Sequence, residues 1–312
     1  MGDIIYTTPV VRCLKKQLPE AEIHFLTKPA FKYIYDGNPY IDKLLLLTPK
    51  LSDTITLIKA EGYDYIIDLH NNLRTFLIKL YTRIKSSSYK KQPILKWLSL
   101  KLNMQLVPKT HLVDRYMKAV KFLGVVNDEE KIDYYIKNKY SLNDLLPATH
   151  YHDYIVFIIG ATHFTKRMPN LKIIEICNQI NYPIVLLGGN DVKKNGELIA
   201  SNVPNVFNAC GLTNIDESVF IISKAFKVIG FDTGLTHIAE AFTNPIVSIW
   251  GGTVPELLGV QPYKVKEVLI CGIDLPCRPC SKFGLETCPK GHFNCMNKIP
   301  NFEIVNFINN AI

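Results

Sequence analysis

The segment VIGFDTGLTHIAEAF, residues 228–242, joins an apolar run to a helical pattern through a short polar turn. Asp232 and Thr233 occupy the turn, and Gly234 allows a ligand to approach the backbone closely. The free N–H groups and the dipole at a helix start favour an anion such as a phosphate. The segment therefore predicts a phosphate site. The alternative is a plain strand–turn–helix unit in which Asp232 is only the N-cap.

The helix after this turn is predicted to have one apolar and one polar face. The apolar face should pack on the sheet, and it consists of Leu235, Ile238, Ala239 and Phe242. The polar residues should point the other way, and they are Thr236, His237 and Glu240.

Two further loops follow predicted strands of the second half. In GATHFTKRMPN, Lys166 and Arg167 suit a phosphate, although both could be solvated loop charges. In LLGGNDVKKNGE, Gly188 and Gly189 permit close approach of a nucleotide, although many turns also use paired glycines. Because ligands of parallel sheets bind beyond the carboxyl ends of the strands, both loops are expected to face the ligand.

Polar residues also follow a predicted buried strand in the first half, in IIDLHNNLRT. They are expected to line a ligand site, and they are His70, Asn71, Asn72 and Arg74. Further on, HLVDRY sets His111 and Arg115 four residues apart on one helical face. Each of these could be an ordinary surface residue. Together with further basic residues they favour a polyanionic acceptor: Lys79, Arg83, Lys85, Lys90 and Lys91.

The C-terminal tail carries four cysteines spaced C-x2-C-x7-C-x6-C: Cys277, Cys280, Cys288 and Cys295. Paired cysteines with His292 among them are typical of a structural zinc site, although the second pair is too widely spaced for the commonest zinc ribbons. The alternatives are a reduced, packed loop or redox cross-links. We expect reduced thiols with a structural role, with structural zinc as the second choice.

Alternating apolar strands and amphipathic helices predict an α/β fold with parallel sheets and crossover helices. The pattern runs twice along 312 residues, which suits two domains. The polar, weakly patterned stretch 137–153 separates the two, so the predicted domains are 1–150 and 151–312. A ligand is expected in a cleft between them.

Composition limits the classes of protein that fit. Hydrophobic residues make up 47% and charged residues 21%, with no apolar run of transmembrane length and no signal-peptide pattern. A cytoplasmic location is therefore expected, and eight cysteines without a secretion signal argue against a disulfide framework. The net charge of +8 suits nucleic acid, an anionic membrane or a phosphorylated substrate.

Taken together, these motifs resemble glycosyltransferase family 9, the lipopolysaccharide heptosyltransferase family. The start GDIIYTTPVVRCLKKQLPEAEIHFLT is similar to the family's N-terminal signature. DLHNNLRT, HLVDRY, KRMP and GFDTGLTHIAEAFTNPIVSIWGGTVPE match later blocks in the same order, and CRPC…CPKGHFNCM is similar to a tail seen in many members. The resemblance covers nearly the whole chain.

The resemblance implies a GT-B fold, in which two Rossmann-like domains face a central cleft. The first domain would bind the acceptor and the second the nucleotide-sugar donor. By position, Asp3 becomes the candidate general base, while Lys166 contacts donor phosphate and Asp232 binds sugar hydroxyls. The implied donor set is Lys166, Arg167, Gly188, Gly189, Asp232, Thr233, Gly234, Leu235 and His237. The implied acceptor set is His70, Asn72, Arg74, His111 and Arg115.

One departure from the family pattern concerns the start of the chain. Members usually begin with an apolar strand that runs into the Gly-Asp loop, whereas here only Met1 precedes Gly2. We expect a chain that is truncated or begun too late, a first sheet that lacks an inner strand, and an Asp3 that is poorly anchored. An apolar strand added before Gly2 should then raise stability and activity.

The predicted function is inverting transfer of a sugar, by the resemblance a heptose, from a donor such as ADP-heptose to an acidic lipopolysaccharide-core acceptor. No catalytic metal and no nucleic-acid partner are expected. Since the acceptor is lipid-linked, the basic first domain should meet the inner face of the cytoplasmic membrane. Two alternatives stay open. One is a zinc-stabilised binder of nucleic acid or another polyanion, and the other is a nucleotide-dependent oxidoreductase of doubly wound fold, although G-x-G-x-x-G is missing from the sequence.

Overall fold

The computed structural model describes residues 2–102, 104–242 and 244–310. Up to residue 135 the chain forms, in order, α1 (Gly2–Ile5), α2 (Thr8–Gln17), β1 (His24–Thr27), β2 (Lys43–Leu46), α3 (Leu51–Ala60), β3 (Tyr65–Asp68), α4 (Leu73–Thr82), β4 (Lys85–Ser88), α5 (Pro93–Leu102) and α6 (Leu112–Met117). From residue 136 it continues with α7 (Leu142–Leu145), β5 (Ile155–Ile158), α8 (Asn170–Cys177), β6 (Ile184–Leu187), α9 (Lys193–Asn202), β7 (Val206–Asn208), α10 (Ile215–Lys224), β8 (Lys227–Phe231), α11 (Gly234–Ala239), β9 (Ile246–Ile249), α12 (Pro255–Leu258), β10 (Val268–Cys271), α13 (Asn294–Asn297) and α14 (Asn301–Asn309). Short 3-10 turns connect several of these elements.

The chain divides into two compact units. The first contains Asp3–Pro93 and Lys109–Tyr135. The second contains Gly2, Ile94–Pro108 and the chain from Ile136 onward. One segment of the first half of the sequence therefore belongs to the second unit.

This division differs from the predicted boundary at residue 150. Within the polar stretch 137–153, Leu142, Leu145 and Leu146 pack against the core of the second unit, so the boundary lies near residue 135. The segment 94–108 joins the same unit, where Gln105 Nε2 donates to the Glu256 carbonyl at 3.4 Å. A cavity of about 470 Å³ lies between this segment and the loops that follow β9 and β10. No local pattern in the sequence reveals such an exchange, because the contacts join residues far apart in the chain.

The second unit is built on a parallel sheet of six strands in the order β10-β9-β8-β5-β6-β7. The four inner strands read IVSI, KVIGF, IVFI and IVLL and are buried along their whole length. Successive residues alternate between two apolar cores, as Phe157 and Ile158 illustrate, so both faces of the sheet are covered. This confirms the predicted α/β class.

The first unit holds β1 paired with β2 and β3 paired with β4, both pairs parallel. Among the described residues the two pairs do not join into one sheet. Nor does the described part of the chain contain a helix long and apolar enough to cross a bilayer.

The loops that follow β5, β6, β8 and β9 contain Lys166, Gly188, Asp232 and Gly251. Parallel strands bring their carboxyl ends to one edge of a sheet. The topology of the second unit therefore places these four loops side by side.

Candidate functional site

Asp232 lies at the centre of a polar cluster at this edge of the second sheet. It follows β8 directly, and Thr233 rather than Asp232 is the N-cap of α11. The Thr233 side chain makes no capping hydrogen bond. The interpretation of Asp232 as only an N-cap is therefore wrong, and its carboxylate makes other contacts.

Three side chains from three segments contact the buried Asp232 carboxylate. Lys166 Nζ lies 2.6 Å from Oδ2, and Thr253 Oγ1 donates to the same oxygen at 2.9 Å. His237 Nε2 lies 3.3 Å from Oδ1. Burial raises the pKa of Asp232, but the hydrogen bond from His237 and the charge of Lys166 outweigh it and lower the pKa to about 2. Asp232 is therefore an ionised hydrogen-bond acceptor at neutral pH.

His237 lies between two carboxylates. Its Nδ1 is 3.0 Å from Glu240 Oε1, and Glu240 Oε2 accepts the Tyr263 N–H at 3.0 Å. Burial lowers the pKa of His237, but Asp232 and Glu240 outweigh it and raise the pKa to about 9. The imidazole is thus protonated at neutral pH, and the cluster balances two cations against two anions.

The structure corrects the predicted faces of α11. The helical period predicts that Thr236, His237 and Glu240 point away from the packed face, yet all three are buried. Thr236 lies against β8, since a Cβ on Gly230 would come within 2.2 Å of Thr236 Oγ1. Leu235, predicted on the packed face, is only partly buried. His237 and Glu240 turn inward because buried opposite charges satisfy each other there.

Arg167 ties the loop after β5 to the loop after β6. Its Nε donates to the Ala161 carbonyl at 2.6 Å, and its Nη2 donates to Asp191 Oδ2 at 2.6 Å. Asp191 follows the predicted Gly188–Gly189 turn. Arg167 therefore stabilises the edge of the sheet on which the donor site is predicted.

Close packing explains the first of the two glycines of that turn. A Cβ on Gly188 would come within 2.4 Å of Val192 Cγ2 and 3.3 Å of the Gly160 nitrogen, so this position needs glycine. A Cβ on Gly189 would meet only the exposed Asp191 side chain, at 2.7 Å from Oδ1, which can move away. Contact of either glycine with a nucleotide stays a prediction.

Thr253 and Arg278 are two residues of the site that no sequence pattern predicts. The Arg278 guanidinium donates to the carbonyls of Gly251 at 2.6 Å, Trp250 at 2.9 Å and Thr253 at 3.2 Å, and also to that of Ile273. It thereby fixes the loop from which Thr253 reaches Asp232. The sequence offered one sign of Arg278, a single arginine between the two cysteines of CRPC, but the cysteine spacing favoured an interpretation of this turn as a metal site.

The four tail cysteines are free thiols. Cys280 Sγ donates to the Cys277 carbonyl at 3.1 Å, and Cys277 Sγ lies 3.9 Å from His292 Nε2. Burial raises the pKa of Cys280 and raises the pKa of Cys295 to about 11. Within residues 2–102, 104–242 and 244–310, no group of three or more His, Cys, Asp or Glu side chains is arranged to hold a metal. The metal content of the tail stays a prediction.

Asp3, the predicted general base, lies on α1 in the first unit with its side chain exposed. Its carbonyl accepts the Tyr116 hydroxyl at 3.3 Å. The carbonyl of Ile4 accepts from Thr7 Oγ1 at 2.8 Å and from the Tyr35 hydroxyl at 3.1 Å. These hydrogen bonds hold the backbone of α1, and the poor anchoring of the Asp3 carboxylate stays a prediction.

Asp68 organises the turn after β3 in the first unit. Its Oδ1 accepts the N–H groups of His70 at 3.0 Å and Asn71 at 2.7 Å, and its Oδ2 lies 2.7 Å from Lys79 Nζ. Burial raises the pKa of Asp68, but the Lys79 and Asn71 hydrogen bonds outweigh it and lower the pKa. His70 itself is exposed, whereas Lys79 of the predicted basic set is already paired.

Asn72 and Arg74 lie at the start of α4. Asn72 is the N-cap: its Oδ1 accepts the Thr75 N–H at 3.0 Å, and Thr75 Oγ1 accepts the Asn72 N–H at 2.9 Å. Asn72 Nδ2 lies 3.1 Å from His70 Nδ1. Arg74 is exposed. Helix capping explains Asn72, and its contact with an acceptor stays a prediction.

His111 and Arg115 are both buried, so the interpretation as surface residues is wrong for this pair. His111 is the N-cap of α6, with Nδ1 accepting the Val113 N–H at 3.1 Å and its ring edge-on to Tyr6. The Arg115 guanidinium carbon lies 5.7 Å from the centre of the Tyr89 ring. The backbone N–H of Arg115 donates to the backbone carbonyl of His111 at 3.1 Å. The two residues are therefore one helical turn apart, as their four-residue spacing predicts.

A family model matches most of this chain. It describes glycosyltransferase family 9 (heptosyltransferase) and matches residues 54–289. The chain belongs to glycosyltransferase family 9. This family 9 protein is therefore a glycosyltransferase, and its membership favours transferase chemistry over the oxidoreductase and polyanion-binding alternatives.

Individual relatives agree with the family assignment. Lipopolysaccharide heptosyltransferase 3 of Escherichia coli strain K12 is 27% identical over 280 residues, which cover 81% of this chain and 80% of the relative. Among solved structures, a family 9 glycosyl transferase from Veillonella parvula aligns with a TM-score of 0.76 at 19% identity, over 98% of this chain and 92% of that chain. Escherichia coli ADP-heptose lipopolysaccharide heptosyltransferase II aligns with a TM-score of 0.72 at 17% identity, over 99% and 94%. These likenesses confirm the predicted GT-B fold.

Proposed function

We propose that this family 9 enzyme transfers a heptose from ADP-heptose to a lipopolysaccharide-core acceptor, with inversion at the anomeric carbon. The observation that carries the proposal is the charged cluster of the partly exposed Lys166 with the buried Asp232 and His237 at the carboxyl edge of the second sheet. Escherichia coli heptosyltransferase WaaC, which shares the fold, has been solved with ADP and with ADP-2-deoxy-2-fluoro heptose. Those complexes support the choice of donor.

In this proposal the second unit binds the donor. The ionised Asp232 accepts hydrogen bonds from sugar hydroxyls, because a carboxylate is a pure acceptor. Lys166, whose side chain is 13% exposed, shares its charge between Asp232 and the diphosphate. The backbone N–H groups of the turn at residues 233–235 contact the same phosphates.

Asp3 is the proposed general base. It takes the proton of the acceptor hydroxyl while that oxygen forms a bond to the anomeric carbon of the heptose. The bond from this carbon to the diphosphate oxygen breaks, and its electron pair leaves with ADP. Lys166 and the protonated His237 offset the negative charge that develops on the diphosphate, so no catalytic metal is part of the proposal.

The first unit is proposed to bind the acceptor. Arg115 supplies positive charge and His111 supplies a hydrogen-bonding imidazole near the α6 N-terminus, and Arg74 supplies an exposed cation at the start of α4. These groups suit an acidic sugar core. Because the acceptor is lipid-linked, the enzyme is proposed to work as a peripheral protein at the inner face of the cytoplasmic membrane.

The test offers the enzyme ADP-heptose, ADP-glucose or UDP-glucose together with a heptose-deficient lipopolysaccharide acceptor. Nucleoside diphosphate release and the mass of the acceptor are measured. We expect the acceptor to gain one heptose from ADP-heptose alone. Asp3→Asn should lose turnover while keeping donor affinity, and Asp144→Asn, which changes an exposed aspartate of the second unit, should behave as wild type. Transfer from another donor would overturn the donor assignment, and an active Asp3→Asn would overturn the base.

A further inference from the structure

The positive charge of this chain is concentrated in one segment. Residues 69–113 contain nine Lys or Arg residues and no Asp or Glu, although the whole chain has 36 basic and 28 acidic residues. The rest of the chain therefore has 27 basic and 28 acidic residues and is nearly neutral. Seven of the nine basic residues in the segment are exposed: Arg74, Arg83, Lys85, Lys90, Lys91, Lys101 and Lys109.

The same segment is rich in exposed apolar side chains. Of the 20 large apolar residues that are exposed in the described chain, nine lie in this segment, which is about one seventh of the sequence. They are Leu73, Phe76, Leu80, Tyr81, Ile94, Leu95, Trp97, Leu102 and Met104. Scattered exposed apolar residues are ordinary on protein surfaces, but a cluster of them marks an interaction site.

On α4, in the first unit, the exposed apolar residues share one face. Leu73, Phe76 and Leu80 are spaced i, i+3 and i+7 and are 53% to 74% exposed. Ile78, on the opposite face, is buried. α4 also contains no acidic residue. The helix therefore packs with one apolar face and presents a second one to solvent.

On α5, in the second unit, the usual polarity of a surface helix is reversed. Lys96 and Ser99 are buried, whereas Ile94 and Trp97 are 70% and 57% exposed. Lys101 Nζ lies 4.9 Å from the centre of the Trp97 ring. Tryptophan beside lysine on an apolar face is the composition of helices that lie in a membrane interface.

We propose that α4 and α5 bind the surface of an anionic lipid bilayer, each through the exposed apolar face on its own unit. The aliphatic and aromatic side chains would enter the boundary between headgroups and acyl chains, while the exposed lysines and arginines contact lipid phosphates. The proposal rests on the lipid-linked acceptor of the proposed function, and it adds that apolar insertion, and not charge alone, holds the enzyme at the membrane.

Charge and side-chain type favour a bilayer over the other occupants. A second copy of this chain would bring one acid-free basic segment against another, and like charges oppose such an interface. A single-stranded nucleic acid prefers aromatic platforms on which bases stack, whereas most of these side chains are aliphatic. An anionic bilayer accepts both the cations and the aliphatic groups.

The experiment measures flotation of the full chain with vesicles of phosphatidylglycerol and phosphatidylethanolamine, and with vesicles of phosphatidylcholine alone. We expect binding to the anionic vesicles and a loss of at least about ten-fold in affinity for Leu73→Ser/Phe76→Ser/Leu80→Ser and for Ile94→Ser/Trp97→Ser. The matched control, Leu171→Ser/Leu198→Ser/Phe302→Ser, changes equally exposed apolar residues outside the segment and should bind as wild type. Thermal melts confirm that each variant is folded.

Three results would overturn the proposal: no binding of wild type to anionic vesicles, equal loss in the control variant, or tight binding to an oligonucleotide with none to vesicles. A self-association that the α4 variant abolishes, without vesicle binding, would show a homodimer surface instead. Heptose transfer to a detergent-dispersed acceptor separates this proposal from the proposed function. The α4 and α5 variants should keep that transfer activity. If wild type binds vesicles but shows no transfer, only the proposed function is overturned.

Discussion

Asp68 in the first unit and Asp232 in the second occupy the same kind of position, at the carboxyl end of a parallel strand. Both are buried, and each lies against a lysine. The Asp68 carboxylate is 2.7 Å from Lys79, and the Asp232 carboxylate is 2.6 Å from Lys166. From the sequence the two look alike, since each follows an apolar run and precedes a helix.

Apart from these lysines, the donors to the two carboxylates differ in kind. Asp68 accepts two backbone N–H groups of its own turn, which the fold holds in place. Asp232 is contacted by side chains of Lys166, His237 and Thr253, which come from three loops or helices. Backbone donors close a turn, whereas side-chain donors can share their hydrogen bonds with a ligand. In the proposed function, the type of donor therefore marks Asp68 as the aspartate that forms a turn and Asp232 as the one that binds the ligand.

Removing each carboxylate in turn gives the largest expected contrast. Asp232→Ala removes the anion that faces the buried His237 and the partly buried Lys166, so the free energy of unfolding should fall by about 3–5 kcal/mol and ADP-heptose binding should vanish. Asp68→Ala should cost about 1–3 kcal/mol, because Lys79 Nζ still donates to Ser88 Oγ at 2.6 Å, and donor affinity should not change. Urea denaturation and calorimetric titration measure both. Equal loss of donor affinity in the two variants would show that the two aspartates do not differ in donor binding.

The stability that the Asp232 cluster contributes should depend on pH. The pKa of Asp232 falls from 3.8 to about 2 on folding, so its contribution is present above pH 3.8 and is lost as pH drops toward 2. The pKa of His237 rises from 6.5 to about 9, so its contribution is complete below pH 6.5 and is lost as pH rises toward 9. The cluster should therefore stabilise the fold fully between pH 3.8 and pH 6.5, and it should lose on the order of 3 kcal/mol as the pH rises from 6.5 to 9 and beyond.

Urea midpoints across the alkaline range check this prediction. His237→Gln should flatten the alkaline slope, whereas His152→Gln, a change of an exposed histidine, should leave it as in wild type. An unchanged slope in His237→Gln would show that another group titrates.

Thr253→Val tests a smaller part of the same cluster. It keeps the side-chain volume but removes the hydroxyl that donates to Asp232 Oδ2. We expect about 1–2 kcal/mol less stability and about three- to ten-fold weaker donor binding. Ser88→Ala removes the corresponding hydroxyl partner of Lys79 in the first unit and should not change donor affinity. Normal donor binding by Thr253→Val would mean that Asp232 does not need this hydrogen bond.

Asn72 gives the smallest expected effect. Asn72→Ala should lower stability by about 0.5–2 kcal/mol through loss of the N-cap of α4, whereas Asn72→Asp retains a capping oxygen and should keep stability. The KM for the acceptor then separates capping from binding. A large rise in this KM for the stable Asn72→Asp would show that the Asn72 amide contacts the acceptor directly.

Local patterns predict much of the fold, most reliably in the second unit. β5, β6, β8 and β9 are predictable because strands buried on both faces are continuous apolar runs. β4, with the sequence KSSS, carries no such pattern and is missed. The exchange of residues 94–108 between the units is missed as well, because it depends on contacts between segments far apart in the sequence.

The candidate site is predictable in composition but not in arrangement. Lys166, Asp232 and His237 follow from polar residues at strand ends and from the family resemblance. The inward turn of His237 and Glu240 does not, because helical periodicity assigns polar residues to solvent. Thr253 and Arg278 are missed since their roles exist only once the loop after β9 meets the tail.

A calorimetric titration of ADP-heptose into wild type, Lys166→Met and Lys194→Met tests whether the Asp232 cluster binds the donor. Lys166 lies in the cluster, whereas Lys194 is an exposed lysine on α9 of the same unit. If the cluster binds the donor diphosphate, Lys166→Met should weaken binding by about 10- to 100-fold and Lys194→Met by less than about two-fold. Wild-type affinity in a folded Lys166→Met, or equal losses in the two variants, would contradict the account.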